Sequence, residues 1–188
     1  MAVVALVSAS CSTSNATSTA ATPVAAGRML AAADLGPGWA PVGPTAAALP
    51  CSAPPTAAAI VGRGGTVVRL AQAIGLPSVV EYAAGTTSPE QAYVSAIDVL
   101  QTSASCRTAT QVHARSSRFV GVLPLPEVGR RSVCMVFANT TDGVTSQSGY
   151  EVVRQGTALV VVGTTDTGPL DAAALEHMTA VALHKLGG

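Results

Sequence analysis

Apolar positions along the chain fall into two patterns, and each predicts a different kind of element. After Ser88-Pro89-Glu90-Gln91, the residues Tyr93, Ala96, Ile97, Leu100 and Ala104 recur at steps of three and four, with Gln91, Ser95, Asp98 and Gln101 on the polar side. That stripe predicts an amphipathic helix. Its start is marked as well: Ser88 suits the N-cap, Pro89 the first helical position and Gln91 the third, where its amide reaches back to the cap. A second stripe, Leu170, Ala174, Leu175, Met178, Val181 and Leu186, predicts a helix over 170–186 following Gly168-Pro169. Asp171 early in it and His184 and Lys185 late in it complement the helix dipole. Residues 23–33 also read as helix, with Met29 and Leu30 facing inward, stopped by Gly36 as a left-handed C′ residue and by Pro37. Trp39 just beyond is expected to cover the core edge, the usual fate of a lone tryptophan beside a helix end.

The other pattern is a series of short β-branched runs. Residues 66–73 and 78–84, separated by Gly75 and Pro77, predict an antiparallel pair. Further strands are expected at 110–115, 117–123, 131–138, 150–153 and 158–162, with Gln155-Gly156-Thr157 short enough to fold 150–162 into a hairpin and 139–148 left as a loop. Pro124 and Pro126 mark a sheet edge or loop. Val133 to Phe137 and Leu159 to Val162 lack polar alternation, which predicts central strands covered on both faces. The fold class expected is therefore α+β, an antiparallel β-sheet packed against two or three α-helices, in one domain over 25–188. Because many strand residues are apolar and helices are few, part of an apolar face is expected to stay open.

The first residues change the picture of where such a domain works. An apolar run, Ala2 to Val7, ends in Ser8-Ala9-Ser10-Cys11 and passes into a Ser/Thr-rich stretch. Small residues before a cysteine resemble the bacterial lipobox, in which Cys11 would be lipidated and become the mature N-terminus. The segment carries no Lys or Arg before Cys11 and has Ser8 where such motifs usually place leucine, so Met1 reads as a start inside a longer signal. Cleavage at Ser8-Ala9-Ser10 as a small-x-small site, releasing a soluble protein, is the alternative, and a simple intracellular terminus a third. Residues 1–11 are thus read as signal and lipobox, and 12–24 as a flexible tether.

Composition narrows the partners. Lys+Arg and Asp+Glu number 10 each, and charged residues make up 11% of the chain, so there is no field to gather nucleic acid or anionic lipid. Aromatics at 3% leave no stacking platform for single strands. No later run reaches the ~18 apolar residues of a membrane span. The Ala, Val, Gly and Thr bias looks like that of a high-GC actinobacterial gene.

Candidate chemistry is sparse. The chain has no GxSxG, HExxH, CxxC or SxxK pattern, and Gly62-Arg63-Gly64-Gly65 fits a turn rather than a phosphate loop. His177 and His184 share a helical face but stand seven apart, where a metal pair prefers four plus a third ligand, and His113 belongs to a separate strand that nothing in the sequence brings to them; the helix pair reads as solvated helix-edge side chains, with no metal or other cofactor expected. Cys134, inside Val133-Cys134-Met135-Val136-Phe137, reads as a core thiol. Cys51 and Cys106 both sit in loop-like sequence and are expected to bridge if the domain is exported. Chain entropy does not choose between this pairing, about 4 kcal/mol for a loop of roughly 55 residues, and the rival Cys106 to Cys134, about 3.6 kcal/mol; local context does.

The succession of helix, Asp34-Leu35-Gly36-Pro37-Gly38-Trp39, loop cysteine, strand pair, capped helix ending at Cys106, further strands, the hairpin around Val153-Arg154-Gln155-Gly156-Thr157 and a last helix resembles PknH-type extracellular sensor domains of actinobacteria, over about 27–186. The resemblance implies an antiparallel sheet with helices, cysteine bridges and a groove for an envelope ligand; lipoproteins of PsbP-like α+β fold are a comparable relative. The function expected is that of an exported, lipid-anchored binding or sensor module rather than an enzyme, holding an envelope lipid, glycan or peptide against the sheet beside the C-terminal helix. Arg115, Arg118 and Arg154 are the basic side chains available for a phosphate or carboxylate at its rim. An envelope hydrolase with an unrecognised site and a purely structural secreted protein are the alternatives.

Overall fold

Strand pairing follows the apolar runs, and it is antiparallel throughout. The computed structural model describes residues 21–43, 57–72, 76–104, 106–109, 114–125 and 131–187. The strands are β1 (Ala21–Pro23), β2 (Trp39–Pro41), β3 (Thr66–Gln72), β4 (Ser78–Thr86), β5 (Cys106–Ala109), β6 (Ala114–Leu123), β7 (Arg131–Thr141), β8 (Val144–Gln155) and β9 (Ala158–Asp166). The helices are α1 (Ala32–Leu35), α2 (Ala57–Val61), α3 (Pro89–Ala104) and α4 (Ala172–Gly187). Among the described residues the strands form one nine-stranded sheet in the order β2-β3-β4-β9-β8-β7-β6-β5, with β1 beside β4 where β3 has ended. The α+β class is as expected, with two long helices and two short ones.

Side chains alternate across a strand, so one parity of the central strands faces α3 and the other faces α4. On the first face Val80, Tyr82, Met135, Phe137, Tyr150, Val152, Leu159 and Val161 pack under Tyr93, Ala96 and Leu100 of α3 and Ile60 and Val61 of α2. On the second, Leu70, Val79, Cys134, Val153, Val160 and Val162 pack under Leu175, Met178, Ala182 and Leu183 of α4 and under Leu30. Val160, Val161 and Val162 have no exposed surface, which is why that run carries no polar alternation. α3 and α4 lie on opposite faces of the same four strands, so the centre of the sheet is covered on both sides.

Three local expectations also change. Residues 23–33 do not make one helix: Pro23 pairs with Ala84 in β1, a 3₁₀ turn spans Ala26–Arg28, and α1 follows. Met29 and Leu30 do point inward, both buried, and the Leu30 N–H donates to the Glu81 carboxylate at 2.6 Å. Tertiary anchoring to the sheet, not alanine's helix preference, sets the backbone there. Residues 139–148 are not a loop but the tip of a hairpin, with Thr141 opposite Val144 and the turn at Asp142 (φ 50°) and Gly143 (φ 83°). Asp-Gly is the dipeptide that accepts positive φ at both turn positions. Finally, the strand after α3 starts at Cys106 and pairs with β6 over Ala114 to Ser117, whereas residues 110–113 of the expected strand lie outside the described residues.

The N-terminal segment is fastened to the end of α4. Arg28 donates to the Lys185 and Leu186 carbonyls, groups a helix end leaves without partners, and Lys185 Nζ meets Asp34 Oδ2 at 2.6 Å. That lysine, with the Ala31 N–H, holds the Asp34 carboxyl below its ordinary range.

Candidate functional site

The α4 face is open at one end, where β9 runs past the start of α4. A cavity of about 300 Å³ lies there between α1, β2, the end of β9 and the first turns of α4. Ala174, His177 and Met178 come from one side of the last helix, because steps of three and four share a helical face, and Leu170 comes from the segment just before it. Leu35, Trp39 and Pro77 form the opposite apolar wall, and Thr164 and Asp166 of β9 the floor, with Asp34 and Asp171 completing the described lining. Leu170 reaches its place because residue 149 is glycine: a Cβ there would stand 2.7 Å from Leu170 Cδ2. Gln147 on β8 accepts the Leu170 N–H at 2.9 Å, and the Asp171 carboxylate accepts the Ala174 N–H at 2.9 Å, an N-cap.

Trp39 is half-buried, packed on the Leu70 and Val79 cluster while also lining the cavity, so it serves the core edge and the opening together. His177 and His184 are exposed on α4, and His177 stands at the cavity. The three arginines expected at the rim are not brought to it. Arg154 lies on the α3 side, paired with Glu90 at 3.2 Å; Arg118 is exposed on β6; and the Arg115 backbone pairs with Thr108 and Thr141, three strands from β9. Neither Arg118 nor Arg154 is among the described lining residues, which carry carboxylates instead. Cys11 and Cys51 lie outside the described residues, as does the Cys106 side chain, although its backbone is in β5. Cys134 is free and buried, and burial, helped by the nearby Glu151 charge, pushes its thiol up to about 12, which suits a core residue.

Deeper on the same face lie two carboxylates that the sequence reading passed over. Glu81, Val162 and Glu151 form one row across β4, β9 and β8, and both glutamates have no exposed surface. Burial raises the Glu81 carboxyl from an ordinary 4.5 to about 7, against the lowering effect of the Leu30 N–H; its Oε1 has no partner. Burial also raises Glu151, against a smaller easing by the neighbouring Thr179. The Thr179 proton, however, goes to the Leu175 carbonyl at 2.9 Å, and neither Glu151 oxygen has a donor. With no donor to either oxygen, the charged form of Glu151 is the costly one in this packed core, which is the physical cause of the upward shift. A lone acid inside Val79-Val80-Glu81-Tyr82 and another inside Tyr150-Glu151-Val152-Val153 were the available signals, since strands covered on both faces leave no solvent for either.

On the α3 face a second polar seam crosses four strands. Ser117 Oγ donates to Asn139 Oδ1, Asn139 Nδ2 donates to Ser148 Oγ, and Ser148 meets Thr165 Oγ1, each at 2.7 Å. Every link is made, so this seam fixes strand register rather than offering an open site.

No family model and no curated protein matches the chain. Among solved structures, the extracellular domain of PknH from Mycobacterium tuberculosis is similar in fold, with a TM-score of 0.55 and 9% sequence identity over 86% of this chain and 94% of that one. The chain thus has the α+β architecture of that extracellular domain.

Proposed function

We propose that this is an extracytoplasmic binding or sensor module, tethered to the membrane through a lipid on Cys11, and that its ligand occupies the cavity beside α4. The observation that carries the reading is the cavity itself: about 300 Å³, walled by Leu35, Trp39, Pro77, Leu170, Ala174 and Met178 and dotted with a few polar groups. That is the make-up of a small-molecule site, at the low end of the usual ~300–1,000 Å³. The fold likeness to the PknH extracellular domain supports an exported, ligand-receiving role, and the apolar run before Cys11 supports the tether. Binding rather than catalysis is favoured because two of the three acids of the described lining also serve the fold, Asp34 in its pair with Lys185 and Asp171 through one oxygen in the cap of α4. The test is native mass spectrometry of the full chain extracted from its own membrane. A retained ligand in the wild type that is lost in Trp39→Ala, with the fold preserved, is the expected result; protein that carries no ligand in either form, and gains no thermal stability from envelope extract, would overturn the reading.

A further inference from the structure

We infer that the cavity selects a small organic cation, an ammonium or amidinium group on a short apolar body. This rests on the cavity being the ligand site and adds the chemistry of its occupant. The described lining holds three carboxylates, Asp34, Asp166 and Asp171, against one basic side chain, the exposed His177, and no arginine or lysine. Asp34 is already neutralised by Lys185, which binds its Oδ2 at 2.6 Å. Asp166 and Asp171 have no such partner among the described residues. Each commits Oδ1 to nearby backbone, Asp166 to the Thr167 N–H at 2.6 Å and Asp171 to the Ala174 N–H at 2.9 Å, which leaves both Oδ2 atoms for a guest.

An anion finds nothing comparable. The start of α4 would ordinarily attract one through its unpaired N–H groups. Here the Asp171 carboxylate already occupies that end, accepting the Ala174 N–H at 2.9 Å, and its negative charge opposes a second anion. The apolar wall adds to the preference, because an indole face attracts cations more strongly than any other ring. Trp39, Asp166 and Asp171 thus offer the lining a charge-bearing head would use, and Leu35, Pro77, Ala174 and Met178 the apolar surface for a short tail. At about 300 Å³ the space suits a fragment of that size rather than a full acyl chain.

Trp39 is the chain's one tryptophan, so its emission reports on the cavity alone. Hexylammonium, hexanol and hexanoate, three probes of equal tail and different head, are titrated against the full chain at pH 7.5 and low salt. Hexylammonium is expected to change Trp39 emission saturably, at concentrations about tenfold or more below hexanol, with hexanoate silent and the preference shrinking in high salt. The paired substitution Asp166→Asn and Asp171→Asn is expected to weaken hexylammonium about tenfold or more and to leave hexanol unchanged. Asn caps helices as well as Asp, so α4 keeps its start and the hexanol response shows that the cavity survives. Hexanol or hexanoate binding as tightly as hexylammonium, or hexylammonium binding unaffected by the paired substitution, would overturn the cation selectivity while the cavity remained a ligand site. Silence of all three probes would overturn the ligand site with it.

Discussion

Glu81 makes stability depend on pH in a direction opposite to that of most carboxylates. Its side chain has no exposed surface, one oxygen bonded to the Leu30 N–H and the other unpaired, and burial raises it from 4.5 to about 7. In the unfolded chain the group ionises near 4.5, so between that value and about 7 the folded state holds a proton that the unfolded state has released. Stability is then greatest below the unfolded value, falls as pH rises through this window and levels off above about 7. At about 1.4 kcal/mol per pH unit the interval corresponds to a loss of about 3 kcal/mol by pH 8. Glu151, raised by the same cause, adds to the slope, whereas Asp34, lowered by Lys185, acts only at more acid pH. Glu81→Gln keeps an acceptor for Leu30 and cannot ionise. Urea unfolding of both proteins at pH 5, 6, 7 and 8 isolates Glu81 as the difference between the two curves. The variant is expected to lose ground to the wild type least at pH 8, with the difference shifting in its favour by about 2–3 kcal/mol between pH 5 and 8. A difference that stays constant across this range would refute the buried, proton-holding role of Glu81.

Three further outcomes are expected. Cys11→Ser should move the protein from the membrane fraction to the soluble fraction, because a lipid anchor is the only attachment proposed; equal partition of the two forms would disprove lipidation. Non-reducing peptide mapping of exported protein should link Cys51 to Cys106 and leave Cys134 as a thiol that alkylates only on unfolding, in keeping with a group pushed up to about 12; a peptide joining Cys134 to either of the others would reverse the assignment. Gly163→Ala should cost about 1–3 kcal/mol in urea unfolding, since a Cβ there would stand 2.3 Å from Tyr150 Cε1 and the buried ring has to shift; an unchanged midpoint would show that the ring has room to move.

What could be read from the sequence alone was whatever short-range physics specifies. α3 spans Pro89–Ala104, where the cap residues and the three-and-four stripe placed it, and α4 lies within a residue or two of its apolar stripe, because capping and helical periodicity are local. β3, β4 and β9 and the β8–β9 turn followed from β-branched runs and Gly156, and the unbroken apolar run of Leu159 to Val162 correctly implied a strand covered on both faces. The Asp142-Gly143 turn was equally local, and its signal was present in the sequence. The rest depended on partners far along the chain. Residues 23–33 have an alanine-rich sequence compatible with helix, strand or turn, and pairing with β4 and the buried contact to Glu81 chose among them. Lys185 neutralises Asp34 across 151 residues, which removes one acid from the cavity and leaves Asp166 and Asp171 to set its charge. The arginines looked equally eligible in one dimension. Strand order then set Arg115 and Arg118 on β6, three strands from β9, and side-chain parity turned Arg154 to the α3 face, so acids, and not arginines, came to line the one end of the α4 face that the helix leaves open.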